Sequence, residues 1–160
     1  MRCPHFRNLK DEQLFAMKKN GGVVFVNFYP GYIDSTYSKK YDKVKTQFKF
    51  ELDSLAKLYD PDSDLYWYKE NELLEPNLAK IVPSVNAVID HIDYIAKLIG
   101  VDHVGIGADW DGVEILPNGI EDISKMPIIT EKLIDRGYSE IDVKKILGGN
   151  FKRVFREVTR

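Results

Sequence analysis

The sequence of 160 residues is poor in cysteine, lacks an excess of positive charge and contains no long apolar run. Its single cysteine, Cys3, excludes a disulfide within the chain and weakly favours a reducing compartment. A formal net charge of −2 argues against nucleic acid or an anionic membrane as a partner, since either needs a basic surface. No run approaches the roughly 18–20 apolar residues of a membrane span. No signal peptide is visible in residues 1–5. The chain is therefore expected to be cytoplasmic if it is expressed as given, and the compartment of any longer parent protein stays open.

What the sequence does contain is typical of one globular domain over residues 1–160, with 44% hydrophobic and 30% charged residues. Residues 23–28 form a continuous β-branched and aromatic run, and residues 103–108 form a second run that contains two glycines. Apolar runs without alternation are typical of strands buried on both faces of a parallel sheet. The glycines of the second run indicate that backbone or a ligand approaches it closely.

Helices are predicted around these two strands, most clearly over residues 84–99, where an apolar stripe recurs at helical spacing and Gly100 follows. Further helices are predicted over residues 11–19, over 127–136, and from Ser139 onward with an interruption at Gly148-Gly149. This order indicates an α/β fold with parallel strands. Two strands make an incomplete sheet, because a closed eight-stranded α/β barrel usually needs about 250 residues.

The region from 34 to 83 is predicted to be an elaborated insert. Residues 38–59 carry apolar side chains at helical spacing and predict one long amphipathic helix. Residues 60–83 contain clustered turn residues and are predicted to be irregular.

Polar residues follow both predicted strands, at the end where parallel α/β proteins place their active sites. Asp109 and Asp111 come directly after the second strand, where a carboxylate can bind an ammonium group or a metal, relay a proton, or only cap the turn. Tyr32 follows a Pro-Gly turn after the first strand. Its hydroxyl could meet a substrate, although the residues alone favour a packing role.

The three histidines do not predict a metal site. His91 lies within the helix over 84–99, where Asp93 at a spacing of two does not share its face. His103 precedes the second strand and therefore lies at the end opposite Asp109, while His5 lies in a loop beside Cys3. No H-E-x-x-H motif or pair of cysteines is present.

Several ordered blocks nevertheless resemble the renal (membrane) dipeptidase family, which are zinc metallopeptidases. The resemblance covers almost the whole chain outside the insert and is carried by RNL at 7–9, DEQL at 11–14, VNFYPGY at 26–32, DHIDYI at 90–95, VDHVGIGADWDG at 101–112, GIEDIS at 119–124 and GGNFxRVF at 148–155.

The resemblance implies the C-terminal part of a (β/α)8 barrel of the TIM type, here the last two strands with their helices. It also implies dipeptide hydrolysis at a site where two zinc ions activate the attacking water. Arg7 and Tyr32 match family residues that bind the carboxylate of the substrate. Asp109 matches the aspartate near the amino group of the substrate, which takes part in proton transfer, whereas Asp111 is interpreted as a turn residue.

The departures from the family pattern concern the metal. The family's histidine-x-aspartate ligands, bridging glutamate and further ligand histidines have no counterpart in this chain, so we expect it to hold no zinc by itself. Phe6 stands where a proline is usual, Lys10 where a threonine or serine is common, and Trp110 where a phenylalanine is common.

Three interpretations of function therefore stay open. The chain could supply the substrate end of a zinc dipeptidase site, and in that interpretation it could be one half of a two-chain enzyme. It could instead be a non-catalytic fragment, or a binding protein that keeps a peptide-carboxylate site. Unpaired strand edges also predict self-association or docking of an N-terminal half.

Overall fold

The computed structural model describes residues 3–159, so Met1, Arg2 and Arg160 of the predicted domain lie outside it. Of residues 1–5, in which no signal peptide was visible, Met1 and Arg2 therefore lie outside the described residues. The elements are α1 (Asp11–Lys19), β1 (Val24–Val26), α2 (Pro30–Ile33), α3 (Tyr37–Gln47), α4 (Lys49–Leu58), α5 (Asp64–Leu78), α6 (Val85–Ile99), β2 (Val104–Ile106), α7 (Met126–Asp135), α8 (Glu140–Lys144) and α9 (Asn150–Val158). Between residues 3 and 159, no helix combines the length and the apolar character that crossing a membrane requires.

The two strands pair in parallel, which confirms the predicted α/β class. The register joins Val24 to Val104 and Val26 to Ile106. Phe25 lies over the glycines of the second strand, since a Cβ at Gly105 or Gly107 would come within 2.9 or 2.8 Å of its side chain. Close approach was predicted from backbone or a ligand. At Gly107 the neighbours are the Cβ and backbone of Phe25, whereas at Gly105 the neighbour is the Phe25 ring, a side chain that the prediction did not name.

Helix α6 is the last of the helices between the two strands and supplies much of the core. Val88, Ile89, Ile92 and Ile99 are completely buried, as the apolar stripe predicted. Gly100 ends the helix with φ +101°, a conformation that residues with a side chain rarely adopt. Helix α6 thus packs against both strands and leads the chain into β2, which runs parallel to β1.

The insert is more helical than its sequence predicts. The single helix expected over 38–59 is divided at Phe48 into α3 and α4. The prediction of irregular structure over 60–83 is wrong, because α5 occupies most of that range. Its N-cap Ser63 accepts the Tyr66 N–H at 3.2 Å, and Pro76 is accommodated within the last turn. Burial of Leu74 and Leu78 against Val44 offsets the backbone hydrogen bond that the proline removes.

A buried carboxylate ties α6 to the chain that follows α7. Asp93 is only 8% exposed and accepts hydrogen bonds from Lys97 Nζ at 2.6 Å, Tyr138 OH at 2.8 Å and Arg136 Nη1 at 3.3 Å. Burial acts to raise the pKa of Asp93, but the hydrogen bonds from Lys97 and Tyr138 and the charges of Lys97 and Arg136 outweigh it. The pKa of this carboxyl is therefore lowered.

Replacing Asp93 with alanine is expected to lower the free energy of unfolding by about 3 kcal/mol at neutral pH, because three donors lose a buried charged acceptor. Since the pKa is lowered on folding, Asp93 stabilises the fold above the ordinary carboxyl value of 3.8. That stability is lost as the pH falls through the lowered pKa. Chemical denaturation of the parent chain and of Asp93→Ala, from neutral pH down to pH 2, measures the difference in the free energy of unfolding. This difference should shrink in acid.

The control for this prediction is Glu140→Ala, which removes an exposed ion pair with Lys144 on the surface of α8. Exposed pairs of this kind contribute little, so this variant should unfold like the parent chain at every pH. A difference for Asp93→Ala that stays constant down to pH 2 would contradict the assignment of the stabilisation to the charged carboxylate.

Candidate functional site

The carboxyl ends of the two strands bring an amide and a carboxylate together. Backbone pairing continues past the strands, with Gly107 N–H donating to Val26 O at 3.0 Å and Phe28 N–H to Ala108 O at 3.4 Å. This continuation places Asn27 beside Asp109, and Asn27 Nδ2 donates to Asp109 Oδ2 at 3.0 Å. The side chain of Asp109 is exposed, so its carboxylate is open to a ligand from solvent.

A second polar pair joins the start of the described chain to α2. Arg7 Nη1 donates to Tyr32 OH at 2.8 Å, and Arg7 is exposed. Asn8 holds the two segments together, because its Nδ2 donates to Tyr32 O at 2.8 Å and to Cys3 O at 3.0 Å. The two residues assigned to one substrate carboxylate by the family resemblance are thus hydrogen-bonded neighbours.

Both pairs line one open cavity of about 400 Å³. Arg7, Tyr32, Asn27 and Asp109 contribute its polar groups together with His91, while residues of α1, β1 and α6 contribute apolar side chains. Asp111 does not line this cavity and is exposed on the loop after β2. The structure therefore brings Arg7, Tyr32 and Asp109 together and leaves Asp111 apart from them.

Neighbouring aromatic rings pack against the ring of Tyr32 and hold it in place. The ring lies 4.8 Å from that of His5 and 4.9 Å from that of Tyr29, measured between centroids. Burial, with a smaller contribution from the charge of Glu114, raises the pKa of Tyr29 to about 12. Tyr29 is therefore a neutral packing residue at physiological pH. The ring of Tyr32 packs against these neighbours while its hydroxyl oxygen accepts the hydrogen bond from Arg7. The packing role is thus present, and contact of the hydroxyl with a substrate stays a prediction.

The histidines are dispersed through the structure. His103 lies just before β2 and its Nδ1 meets Gly22 O at 2.8 Å, at the end of the strand opposite Asp109. His5 stacks near Tyr32, and His91 lies on α6. Within residues 3–159, no three His, Cys, Asp or Glu side chains converge so as to hold a metal ion. The donors present in this part of the chain therefore do not fit a zinc pair.

Purified chain that has been saturated with zinc and dialysed is expected to retain less than stoichiometric metal, because these donors are too far apart to chelate. Elemental analysis measures the zinc content directly. Retention of one or two ions per chain would contradict the ligand geometry described above.

Comparison with known proteins places the chain in a family. The profile of Membrane dipeptidase (peptidase family M19) matches residues 1–160. A curated relative, Dipeptidase aclJ of Aspergillus oryzae, is 33% identical over 156 residues. The match covers 98% of this chain and 27% of that protein. The chain belongs to the membrane dipeptidase family, as its ordered sequence blocks predicted.

Solved structures show the same relationship. The probable dipeptidase PvdM from Pseudomonas aeruginosa superposes with a TM-score of 0.65 at 29% identity, over 95% of this chain and 41% of that one. A metallopeptidase from Rhodobacter sphaeroides, solved with a phosphinate mimic of the dipeptide L-Ala-D-Ala, shares the fold with a TM-score of 0.62 at 23% identity. That match covers 94% of this chain and 31% of the other. The chain thus spans well under half the length of these relatives.

Asn27 and Asn8 are the residues of this site that the sequence interpretation did not single out. A signal for Asn27 was present, since it is the polar residue near the end of the run at 23–28, while Asp109 directly follows the run at 103–108. Parallel strands end at one edge of a sheet, so the two side chains could have been expected to meet. Asn8 offered no comparable signal, because its partners are backbone oxygens and the one that joins it to α2, Tyr32 O, is 24 positions away in the sequence.

Proposed function

We propose that this chain supplies the substrate-binding end of a zinc-dependent dipeptidase site, and that β1 and β2 are the last two strands of a (β/α)8 barrel. The observation that carries the proposal is that the Arg7–Tyr32 pair and the Asn27–Asp109 pair line the same cavity. One pair offers donors and the other a negative charge, and a zwitterionic dipeptide needs both.

The carboxylate of the dipeptide would bind at Arg7 and Tyr32. A guanidinium presents parallel N–H donors that match the two oxygens of a carboxylate. The Tyr32 hydroxyl lies 2.8 Å from Arg7 Nη1, so one anionic oxygen could be reached by both groups. The residues that anchor this pair are Asn8, the tilted ring of His5 and the edge-on ring of Tyr29, and they would keep it in place when no substrate is bound.

The amino end of the dipeptide would face Asp109. A carboxylate at that position pairs with the ammonium group, and it can take up or return a proton as the peptide bond is cleaved. Asp109 suits both tasks because it is exposed to the cavity while one of its oxygens is held by Asn27.

Zinc would have to be held by residues outside the described part of this chain. The family is metallo-dependent, and a relative solved with a dipeptide mimic is described as a metallopeptidase. Since the histidines of residues 3–159 do not converge, we assign no zinc ligand and no metal-dependent step to this chain. The remainder of a longer polypeptide, or a second chain, would supply that part of the site.

An exposed apolar face beside β1 supports the proposal that additional strands complete the barrel. Phe25 on the strand and Phe151 and Phe155 on α9 are 45%, 52% and 54% exposed, and the rings of Phe25 and Phe151 lie 6.1 Å apart. Exposed aromatic clusters of this kind are typical of surfaces that another element covers. Strands that continue the sheet from the free edge of β1 would bury this cluster.

A hybrid protein tests the proposal. This chain would be joined to the part of a family member that it does not cover, and hydrolysis of L-Ala-D-Ala would be measured in zinc. The hybrid is expected to hydrolyse the dipeptide and the chain alone is not. A folded hybrid that retains two zinc ions but neither binds nor cleaves dipeptides would contradict the proposal and favour the alternative of a non-catalytic protein.

A further inference from the structure

The side chain of Asn27 links the two strand ends in a single orientation. Its Oδ1 accepts the Tyr29 N–H at 2.7 Å, and its Nδ2 donates to Asp109 Oδ2 at 3.0 Å. A backbone N–H requires an acceptor and a carboxylate requires a donor, so reversing the amide would lose both bonds. The contact with Tyr29 therefore fixes which end of Asn27 faces Asp109.

The backbone around Asp109 confines the same carboxylate from the other side. Asp109 has φ +67°, and among the described non-glycine residues it alone lies in the left-handed region. Such conformations are sparsely populated and concentrate at functional sites. Gly112 N–H donates to Asp109 O at 3.2 Å, and a Cβ at position 112 would collide with the Asp109 carboxylate. Because residue 112 is a glycine, there is room for the Asp109 carboxylate at this position.

We propose that Asn27 is a positioning residue that holds the Asp109 carboxylate toward the ammonium group of a dipeptide. This inference rests on the function proposed above. A neutral amide suits the task because it donates to one carboxylate oxygen without cancelling the negative charge. A lysine or arginine at position 27 would orient Asp109 equally well but would neutralise the charge that attracts the ammonium group.

The variant Asn27→Ser isolates the donated bond. A serine hydroxyl can still accept the Tyr29 N–H, but it is too short to reach Asp109. Asn20→Ser is the matched control, because Asn20 Oδ1 accepts the Gly22 N–H at 2.8 Å in a similar turn that does not line the cavity. Thermal unfolding of this chain and both variants establishes that each is folded.

The first measurement needs no ligand. NMR couplings that report the Asp109 side-chain rotamer are expected to show one conformer in the parent chain and in Asn20→Ser. In Asn27→Ser they should show an average over several conformers. A single, unchanged Asp109 rotamer in folded Asn27→Ser would overturn the inference.

The second measurement compares binding of L-Ala-D-Ala with that of its N-acetyl derivative, which lacks the ammonium group. The parent chain is expected to prefer the free dipeptide by about tenfold, the size of one charge-assisted bond. Asn27→Ser and Asp109→Asn should each lose most of that preference, and the double variant should lose no more. If the preference for the free dipeptide is lost in Asp109→Asn but kept in Asn27→Ser, the role of Asn27 is overturned while that of Asp109 stands. The absence of any preference in the parent chain contradicts the proposed function of Asp109, and the rotamer measurement then decides the role of Asn27.

Discussion

In a hydrolytically active hybrid that contains this chain, Asp109→Asn is expected to lower kcat by about 100-fold or more. The amide that replaces the carboxylate neither accepts a proton nor pairs with an ammonium group. Asparagine tolerates the left-handed backbone that Asp109 adopts, so the loop should keep its conformation in the variant. Steady-state kinetics with L-Ala-D-Ala measures the change.

The matched control is Asp111→Asn, which removes the same charge two residues further along the loop. Asp111 does not line the cavity, so its replacement should change kcat far less. A hybrid with Asp109→Asn that keeps the kcat of its parent would contradict the assignment of Asp109. An equal loss in both variants would instead indicate a general effect of loop charge.

Arg7→Lys in the same hybrid is expected to raise KM by about tenfold with a smaller change in kcat. A lysine keeps the positive charge but replaces a planar pair of donors with a single ammonium group, and binding lost in the ground state appears in KM. The lysine would also lose the bond that Arg7 Nη1 donates to Tyr32. Kinetics over a range of dipeptide concentrations separates the two constants.

A substrate with a C-terminal carboxamide provides the control for Arg7. The parent hybrid should already handle the carboxamide poorly, and Arg7→Lys should add little further loss, because the anionic partner of the guanidinium is absent. If Arg7→Lys raises KM equally for the acid and the amide, Arg7 does not recognise the carboxylate and acts only on the structure of the site.

Sequence patterns predicted the elements that carry the site because strong periodicity and strand-end chemistry are local signals. The apolar run at 23–28 and the glycine-containing run at 103–108 form a parallel pair, and the helix predicted over 84–99 packs against both strands. Asp109 was predicted as a candidate from its position after a strand, since parallel strands direct their carboxyl ends to one edge, and its role in the site stays a prediction. Arg7 was predicted only through the family resemblance, because nothing local to it indicates a ligand.

The parts that sequence patterns did not predict depend on contacts between distant residues. Helix α5 was missed because Pro76 and the acidic turn at 60–62 indicate irregular chain, whereas burial of Leu74 and Leu78 against α3 determines the outcome. The hydrogen bond between Asn27 and Asp109 spans 82 positions in the sequence, and the one between Arg7 and Tyr32 spans 25. No local pattern specifies such pairs before the fold is known.

The most direct test of the central claim is a crystal structure of the zinc-loaded hybrid with a phosphinate mimic of L-Ala-D-Ala. The mimic's carboxylate should lie within about 3 Å of the Arg7 guanidinium and the Tyr32 hydroxyl, and its ammonium group should contact Asp109. A mimic bound with its carboxylate away from Arg7 and Tyr32, or with its ammonium group away from Asp109, would contradict the claim that this chain supplies the substrate-binding end of a dipeptidase site.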